Sequence, residues 1–141
     1  MAVTSASTTV WTGDLKSGSG EVTLDSSHSA QFPVTWAARS QGSSDVTTPE
    51  ELLGAAHSAC FSMAFSNALS SFGTTPERLQ VTAHVGFDPA EGITGSHLVV
   101  EATVPGLSVE DFNRLADEAK TGCPVSRALV GIPITIDATL V

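Results

Sequence analysis

The feature that most constrains the fold is a long apolar segment that begins at a helix-start signal. Thr48-Pro49-Glu50-Glu51 places a hydroxyl at the N-cap, proline at the first helical position and an acid at the third, which is the pattern of a capping box. No strong helix breaker follows until Gly73, so we predict one helix of about 24 residues, or ~36 Å. Apolar and small residues lie on almost every side of it, and we expect a central helix that is buried on most faces.

A membrane-spanning role for this segment does not fit its polar residues. His57, Asn67 and several serines lie inside the apolar stretch, and predicted strands flank it on both sides. The six Lys and Arg residues are outweighed by fifteen Asp and Glu residues, giving a formal charge of −9 that repels phosphate backbones and anionic lipid surfaces. We therefore expect no membrane partner and no nucleic-acid partner.

The compartment is predicted from the first residues and from the cysteines. Met1 to Val10 contain no basic residue and no long apolar run, so they do not resemble a secretory or transit signal. This predicts a cytoplasmic protein. In that reducing environment two cysteines are better explained as inert thiols, metal ligands or redox groups than as a structural disulfide. The two cysteines are not a closely spaced pair, so they give only weak support for a zinc site. We predict no cofactor.

Three short strands are predicted before the long helix. Two of them, Val10 to Lys16 and Glu21 to Asp25, are joined by a glycine-bearing loop of hairpin length. The third, Gln31 to Trp36, contains Pro33, which indicates an edge position because proline cannot donate a hydrogen bond to a neighbouring strand. Ala37 to Thr47 shows no periodicity and is predicted to be a loop.

The second half of the chain is predicted to contain a hairpin, two helices and a final strand. These elements are strands Leu79 to Phe87 and His97 to Val104, helices that open at Ser108 and at Cys123, and the alternating strand Ile132 to Leu140. The order of strands, helix, strands, helices and strand predicts an α+β domain with antiparallel sheets. A chain of 141 residues with 41% hydrophobic residues has room for one such domain, over residues 1–141.

Cys60 and Cys123 differ in their predicted environments. Cys60 lies in the middle of a helix among apolar residues, where a thiol is usually an inert buried group. Cys123 follows a helix-stopping glycine and precedes Pro124 at a helix start, where free backbone N–H groups and the helix dipole favour a thiolate. Two thiols in a reducing compartment, one of them at a helix N-terminus, favour redox chemistry more than either thiol does alone.

Attack of a thiol on a peroxide needs a cation that keeps the sulfur ionised and stabilises the departing alkoxide. Two arginines are candidates, namely Arg39 in the predicted loop and Arg127, one helical turn after Cys123. Each of them is otherwise explained as a solvated surface charge. A carboxylate would be needed to orient the arginine, and Glu50 is the candidate because Glu51 already belongs to the capping box.

A cysteine hydrolase is the alternative enzyme. His57 lies three residues before Cys60, on the same face of the helix. A nucleophile inside a helix has no evident oxyanion hole, so we expect His57 to be a hydrogen-bonded core histidine instead. The non-enzymatic alternative is a redox sensor, whose disulfide changes the conformation without turnover of peroxide.

Two stretches of the sequence carry a specific resemblance to a known family. They are Thr48-Pro-Glu-Glu-Leu-Leu-Gly-Ala-Ala-His-Ser-Ala-Cys60-Phe-Ser-Met63 and Gly122-Cys123-Pro-Val-Ser-Arg127. Together with the element order, they resemble the osmotically inducible and organic hydroperoxide resistance proteins (the OsmC/Ohr family). The loop arginine and the His-Ser-Ala-Cys-Phe-Ser-Met motif resemble the osmotically inducible branch. Thr48 departs from the asparagine that is common there, but both residues cap helices.

The resemblance implies a thiol-dependent peroxidase that reduces organic hydroperoxides, and hydrogen peroxide as a further candidate, in oxidative stress defence. Cys60 would take the peroxidatic position and Cys123 the resolving one, with Arg39 as the loop arginine and Glu50 as the acid of the Pro-Glu motif. A Cys60 sulfenic acid would be captured as a Cys60–Cys123 disulfide. A dithiol, in relatives often a lipoyl group on a protein, would then reopen that disulfide.

Helix geometry adds the prediction of an intertwined homodimer with shared active sites. Glu50 and Cys60 are ten residues apart on one predicted helix, which separates them by ~15 Å along its axis. No proline lies between Leu52 and Cys60 to break this helix, and Gly54 alone is a weak breaker. If Glu50 orients an arginine at Cys60, either the helix is broken between them or the acid comes from a second copy of the chain, and the second copy is favoured. That copy would also cover a helix that is apolar on nearly every face.

Overall fold

The computed structural model describes every residue from Met1 to Val141. The chain forms two compact units, residues 1–50 and residues 51–141. The organisation as one domain over residues 1–141 stays a prediction. None of the helices combines the length and the hydropathy that crossing a bilayer demands.

The first unit is built on a three-stranded antiparallel sheet. Its strands are β1 (Thr8–Thr12), β2 (Ser19–Thr23) and β3 (Gln31–Val34), hydrogen-bonded in the order β1-β2-β3. The three predicted strands are confirmed, although β1 and β2 begin two residues earlier than the sequence pattern indicates. β3 lies at the edge, as Pro33 predicted, because a residue without an N–H is tolerated there.

A short helix occupies part of the segment Ala37 to Thr47, which the sequence predicted to be a loop. Helix α1 (Trp36–Gln41) follows β3, so Arg39 lies on a helix and not in an irregular loop. The side-chain oxygen of Thr35 accepts a hydrogen bond from the N–H of Ala38 over 3.1 Å and starts the helix. Six residues are too few to show a hydrophobic period, which is why the sequence pattern missed this helix.

Helix α2 (Pro49–Phe72) is the long continuous helix that the capping pattern predicted, and it contains 24 residues. Gly73 ends it with a φ of +102°, a backbone conformation that glycine adopts without strain. The N–H groups of Gly73 and Thr74 donate to the carbonyl oxygen of Leu69 over 3.1 and 3.0 Å. The predicted start and the predicted stop of the helix are therefore both confirmed.

The second unit contains a second three-stranded sheet with its longest strand in the centre. The strands are β4 (Arg78–Asp88), β5 (Gly92–Thr103) and β6 (Ile134–Leu140), in the order β4-β5-β6. β4 and β5 form the predicted antiparallel hairpin. β6 pairs with β5 in parallel along its whole length, so the prediction of purely antiparallel sheets is wrong for this pair.

A helical crossover makes the parallel pairing possible. Helices α3 (Val109–Gly122) and α4 (Pro124–Ala128) lie between β5 and β6 in the chain. Parallel strands need such a connection, because the chain must return to the end of the sheet from which it started. The hydroxyl of Ser108 accepts from the N–H of Asp111 over 3.1 Å and opens α3, and Cys123 is the N-cap of α4. Both helix starts were predicted from the sequence.

The core of the second unit is formed by α2, β5 and α3. Leu98 and Val100 of β5 are fully buried and belong to one cluster with Phe61 and Phe65 of α2 and Phe112 of α3. The rings of Phe65 and Phe112 lie 5.4 Å apart between their centroids, in a tilted arrangement. Burial of side chains of this size stabilises the fold by about 1.5–3 kcal/mol each, and it fixes α2 against the sheet.

Helix α2 is buried along one face, and not on most faces as the sequence predicted. Phe61 and Phe65 lie on the buried face. The other side carries a stripe of small and apolar side chains, here called the exposed stripe, which consists of Ala55, Ala56, Ala59 and Met63. Met63 keeps 71% of its accessible surface. A sheet covers a helix from one side only, so these apolar side chains have no cover within the second unit.

Candidate active site

Two free thiols meet between α2 and α4. Cys60 lies in the middle of α2 and is partly buried, whereas Cys123 lies at the N-cap of α4 and is fully buried. Both are reduced, and they are neighbours in the fold, because each side chain influences the ionisation of the other. Their separation in the sequence could not show whether they meet, and the fold of the second unit brings them together.

The N-terminus of α4 surrounds the two sulfur atoms with backbone N–H groups. Pro124 at the first position has no N–H to offer, so the first available donors are those of Val125 and Ser126. The N–H of Val125 acts on both sulfur atoms, and the N–H of Ser126 acts on Cys123. None of them is aligned well enough for a capping hydrogen bond to the thiol, but each favours negative charge on sulfur.

The pKa values of the two thiols are shifted in opposite directions. Burial has the largest influence on Cys60 and raises its pKa, the N–H of Val125 works against this, and the neighbouring Cys123 adds to it. Burial also acts to raise the pKa of Cys123. It is outweighed by the N–H and the hydroxyl of Ser126, by Cys60 and by the N–H of Val125, so the pKa of Cys123 is lowered. The surroundings of the pair therefore favour a thiolate on Cys123 over one on Cys60.

Arg127 does not change this balance. Its side chain is exposed, and it is not among the groups that shift the pKa of Cys60 or of Cys123. Of the two candidate cations, Arg127 thus receives no support from the geometry of the second unit. A thiolate on Cys60 at neutral pH needs a positive charge that Arg127 does not supply.

In the first unit, Arg39 and Glu50 form the ion pair that an activating arginine would need. The Nε and Nη2 atoms of Arg39 donate to Oε1 of Glu50 over 3.1 and 2.8 Å. Both donors go to one oxygen, so the pair differs from the fork-to-fork geometry in which each oxygen accepts one bond. The Glu50 side chain is 6% exposed and that of Arg39 is 32% exposed, so the carboxylate is held inside while the guanidinium keeps access to solvent.

The chain path explains how these two residues meet. Arg39 lies on α1 and Glu50 at the second position of α2. An isolated parallel bridge between Val34 and Thr47 returns the chain to the end of β3 just before α2 begins. The structure therefore joins the four predicted site residues in two pairs, Arg39 with Glu50 in the first unit and Cys60 with Cys123 in the second.

His57 is a hydrogen-bonded core histidine, as the sequence predicted, and not half of a Cys-His dyad. It is 0% exposed, its Nδ1 atom lies 2.7 Å from Oγ of Ser96, and its Nε2 atom lies 2.8 Å from Oγ of Ser126. Burial lowers the pKa of the imidazole. Because a serine engages each ring nitrogen, neither nitrogen is available to take a proton from Cys60.

Ser96 and Ser126 are partners of His57 beside the candidate site that the sequence reasoning missed. Ser126 carried a usable signal, because it follows Cys123 by three residues, the spacing at which side chains face each other on a helix. Ser96 carried none, since it reaches His57 from β5, which is 39 residues away in the sequence.

Comparison with known proteins places this fold and these residues in a family. Residues 42–138 match the family model described as OsmC-like protein. Over 133 residues the chain is 42% identical to peroxiredoxin OsmC of Escherichia coli K12, and the match covers 92% of both chains. It is 33% identical over 102 residues to an organic hydroperoxide resistance protein of Xanthomonas axonopodis pv. citri, covering 68% of this chain and 66% of the relative.

The solved structures agree with the sequence matches. The crystal structure of an organic hydroperoxide resistance protein from Elizabethkingia anophelis superposes with a TM-score of 0.70 at 28% identity, and 99% of each chain is covered. The chain belongs to the OsmC-like family. This confirms the resemblance and the predicted α+β fold, and the higher identity to the OsmC relative agrees with the branch that the sequence motifs indicated.

Proposed function

We propose that this protein is a cysteine-based peroxidase that reduces organic hydroperoxides, with hydrogen peroxide as a further candidate substrate, in oxidative stress defence. The observation that carries the proposal is the contact between Cys60 and Cys123, two reduced thiols at the N-terminus of a helix. The names of the relatives, peroxiredoxin OsmC and organic hydroperoxide resistance protein, support a redox role that involves peroxides.

In the proposed reaction, the Cys60 thiolate attacks the terminal peroxide oxygen. The O–O bond breaks, the alkoxide takes up a proton and leaves as alcohol, and Cys60 is oxidised to a sulfenic acid. The Cys123 thiolate then attacks the Cys60 sulfur, the S–O bond breaks, and the hydroxide takes up a proton to become water. A dithiol reduces the Cys60–Cys123 disulfide and is itself oxidised to a disulfide. We propose a lipoyl group on a protein as this dithiol, and the cytoplasm as the compartment.

Arg39 is our candidate for the cation that activates Cys60. Burial raises the pKa of Cys60, so the first step needs a positive charge near the sulfur. Glu50 holds the Arg39 guanidinium in one pose through two hydrogen bonds. A fixed guanidinium would favour the thiolate and would also stabilise the negative charge that develops on the leaving oxygen.

A peroxidase assay tests the function directly. We expect catalytic loss of an alkyl hydroperoxide in the presence of dihydrolipoamide, at a rate well above that with thioredoxin, because the proposed reductant is a lipoyl dithiol. Steady-state rates with alkyl, fatty-acid and hydrogen peroxides would rank the substrates. Oxidation of the two thiols without continued peroxide loss would support the redox sensor instead, and turnover of an ester without peroxide would support the hydrolase.

We also propose that the active site is shared between two copies of the chain. Glu50 and Cys60 lie ten residues apart on α2, which is unbroken from Pro49 to Phe72. The exposed stripe of α2 offers an apolar surface for a partner helix, and small side chains such as Ala55 and Ala59 allow helices to approach closely. A two-fold dimer would cover this stripe and would bring Arg39 and Glu50 of one copy to Cys60 of the other.

Mixed dimers test the shared site. The Cys60→Ser protein and the Glu50→Ala protein should each be less active than the wild type. In a mixed dimer, one composite site has all its wild-type groups, because one chain supplies Glu50 and the other supplies Cys60. After joint refolding about half of the dimers are mixed, so about a quarter of the wild-type activity should return. The measurement is peroxide turnover after mixing, compared with the sum of the two parent proteins.

Two results would contradict the shared site. Light scattering at micromolar concentration should give the mass of a dimer, and a monomeric mass would exclude a composite site. Mixed dimers that are no more active than the two parents would show that each chain supplies its own acid. As a control for refolding, mixtures of wild-type and Cys60→Ser protein should retain activity in proportion to the wild-type chains.

A further inference from the structure

The proposed peroxidase reaction makes no use of His57, although it is a fully buried titratable group beside the two thiols. Both of its ring nitrogens are hydrogen-bonded, Nδ1 to Ser96 over 2.7 Å and Nε2 to Ser126 over 2.8 Å. The two serines are themselves buried, with 2% and 5% of their surfaces exposed. A buried polar group of this kind is costly unless it is fully paired, so this arrangement is specific and not easily replaced.

The His57–Ser126 hydrogen bond lies beside the pair of thiols and joins the same two helices. On α2, His57 precedes Cys60 by three residues, and on α4, Ser126 follows Cys123 by three residues. Residues with this spacing share a helix face. The hydrogen bond and the contact between the sulfur atoms therefore join the same two helices at neighbouring turns. Any movement of α4 that separates the sulfur atoms would also strain the buried bond from His57 to Ser126.

The tautomer of His57 sets the direction of these hydrogen bonds, and the influence of Ser126 on Cys123 favours one of the two tautomers. Burial lowers the pKa of His57, so the ring is neutral and has one donor and one acceptor. With the proton on Nε2, His57 donates to the Ser126 oxygen, and the Ser96 hydroxyl donates to Nδ1. The hydroxyl proton of Ser126 is then free to point to the Cys123 sulfur. This agrees with the position of the Ser126 hydroxyl, which acts to lower the pKa of Cys123.

We infer that His57, Ser96 and Ser126 are positioning residues for the second step of the reaction, in which they hold Cys123 oriented and ionised for attack on oxidised Cys60. The inference rests on the proposed peroxidase function and extends it to residues that do not touch the peroxide. The Cys123 sulfur forms the bond to the Cys60 sulfur, the S–O bond of the sulfenic acid breaks, and the hydroxide is protonated by solvent. Ser126 keeps its own proton throughout.

The surroundings of Cys123 limit what else could control its ionisation. Cys60 is the titratable group that faces it from α2, and His57 acts on it through Ser126. The other members of the buried cluster around Cys123, such as Leu115 and Ala119 of α3, are apolar. Because Cys60 is unchanged in a Ser126→Ala variant, a change in the pH dependence of disulfide closure in that variant reports the loss of the Ser126 hydroxyl.

Ser126→Ala is the decisive variant, because it removes one oxygen and leaves the backbone unchanged. After one equivalent of peroxide, we expect disulfide closure to be about tenfold slower or more, since the hydroxyl that favours the Cys123 thiolate is lost. Without it the pKa of Cys123 should rise, so the pH midpoint of closure should move upward. The peroxide-attack step should change several times less. Rapid acid quench, alkylation and mass spectrometry would count sulfenic acid and disulfide at each time.

Matched variants separate positioning from general packing. Ser62→Ala is the control, because the Ser62 hydroxyl donates to the carbonyl oxygen of Ser58 in its own helix and does not reach the thiols. It should leave both steps as in the wild type. Ser126→Thr keeps the hydroxyl and should restore closure. His57→Gln, which keeps a donor for Ser126 but loses the bond to Ser96, should give an intermediate rate.

A second assay keeps the inference testable without peroxide. An aromatic disulfide reagent forms a mixed disulfide with Cys60 and releases one aromatic thiolate. Cys123 then attacks the Cys60 sulfur and releases the second aromatic thiolate. The second release should be slow in Ser126→Ala and normal in Ser62→Ala. If the wild type consumes no peroxide but shows this pattern, the proposed function fails and the positioning role stands. Equal second-phase rates in the two variants, or an equal loss in the peroxide-attack step, would overturn the inference.

Discussion

Cys60→Ser is expected to abolish peroxide consumption, whereas Cys123→Ser should still allow one oxidation per site. In the proposed reaction, the Cys60 sulfur is the group that attacks the peroxide. Without Cys123 the first step proceeds, but the sulfenic acid on Cys60 has no thiol to capture it, so it accumulates and can be trapped. Mass spectrometry of each variant after one equivalent of peroxide, with and without a sulfenic acid trap, would locate the oxidised sulfur.

This test distinguishes the two possible assignments of the attacking cysteine, because the surroundings of the pair favour a thiolate on Cys123. If the cysteine with the lower pKa were the attacking one, the sulfenic acid would appear on Cys123 in Cys60→Ser protein and the two roles would be reversed. A trap that labels only Cys60, in Cys123→Ser protein, supports the assignment made here. Ser62→Ala serves as the control for handling and should form the disulfide in full.

Arg39→Ala should slow peroxide attack by about 100-fold or more, the scale on which loss of one electrostatic stabiliser acts. In the proposed shared site, loss of the guanidinium would raise the pKa of Cys60, so the thiolate fraction at neutral pH would fall and the pH–rate profile would move to higher pH. Arg127→Ala should do much less, because Arg127 is exposed and does not act on either thiol. In a Cys123→Ser background, the ultraviolet absorbance of the thiolate against pH would give the Cys60 pKa with and without each arginine.

The outcome for Arg39 can be separated from a loss of fold. Arg39→Lys keeps the positive charge but not the two-donor contact to Glu50, so it should recover part of the rate. Glu50→Gln removes the charge that orients the guanidinium and should resemble Arg39→Ala in its pH profile, with a smaller loss. An equal loss of rate from Arg39→Ala and Arg127→Ala would contradict the choice of Arg39 as the activating cation.

The parts of the fold that could be predicted are those with local signals. The Thr48-Pro49-Glu50-Glu51 pattern and Gly73 defined both ends of α2 because caps and stops depend on a few neighbouring residues. Helix α1 was missed because it is only six residues long. The parallel direction of β6 was missed because alternation of side chains shows that a strand has one buried face, and says nothing about the direction of its neighbour.

The sequence could name the residues of the candidate site but not their contacts. Cys60, Cys123, Arg39 and Glu50 came from the sequence, with the roles implied by resemblance, and the structure adds which of them touch. The buried network of His57 could not be anticipated in full. The position of a histidine on a helix does not show that one of its serine partners comes from a distant strand. Nor does it show that the other partner lies beside Cys123.

The position of the two cysteines along the chain links the redox state of the protein to its stability. Closing a disulfide from the middle of α2 to the start of α4 would tie off a loop of about 60 residues, which contains β4, β5 and α3. In the chain-entropy description, a loop of that size removes about 4 kcal/mol of conformational freedom from the unfolded state. The oxidised protein would thus be the form that resists unfolding. Each reduction by a dithiol would lower the free energy of unfolding of the second unit again, so its helices and strands would open more readily.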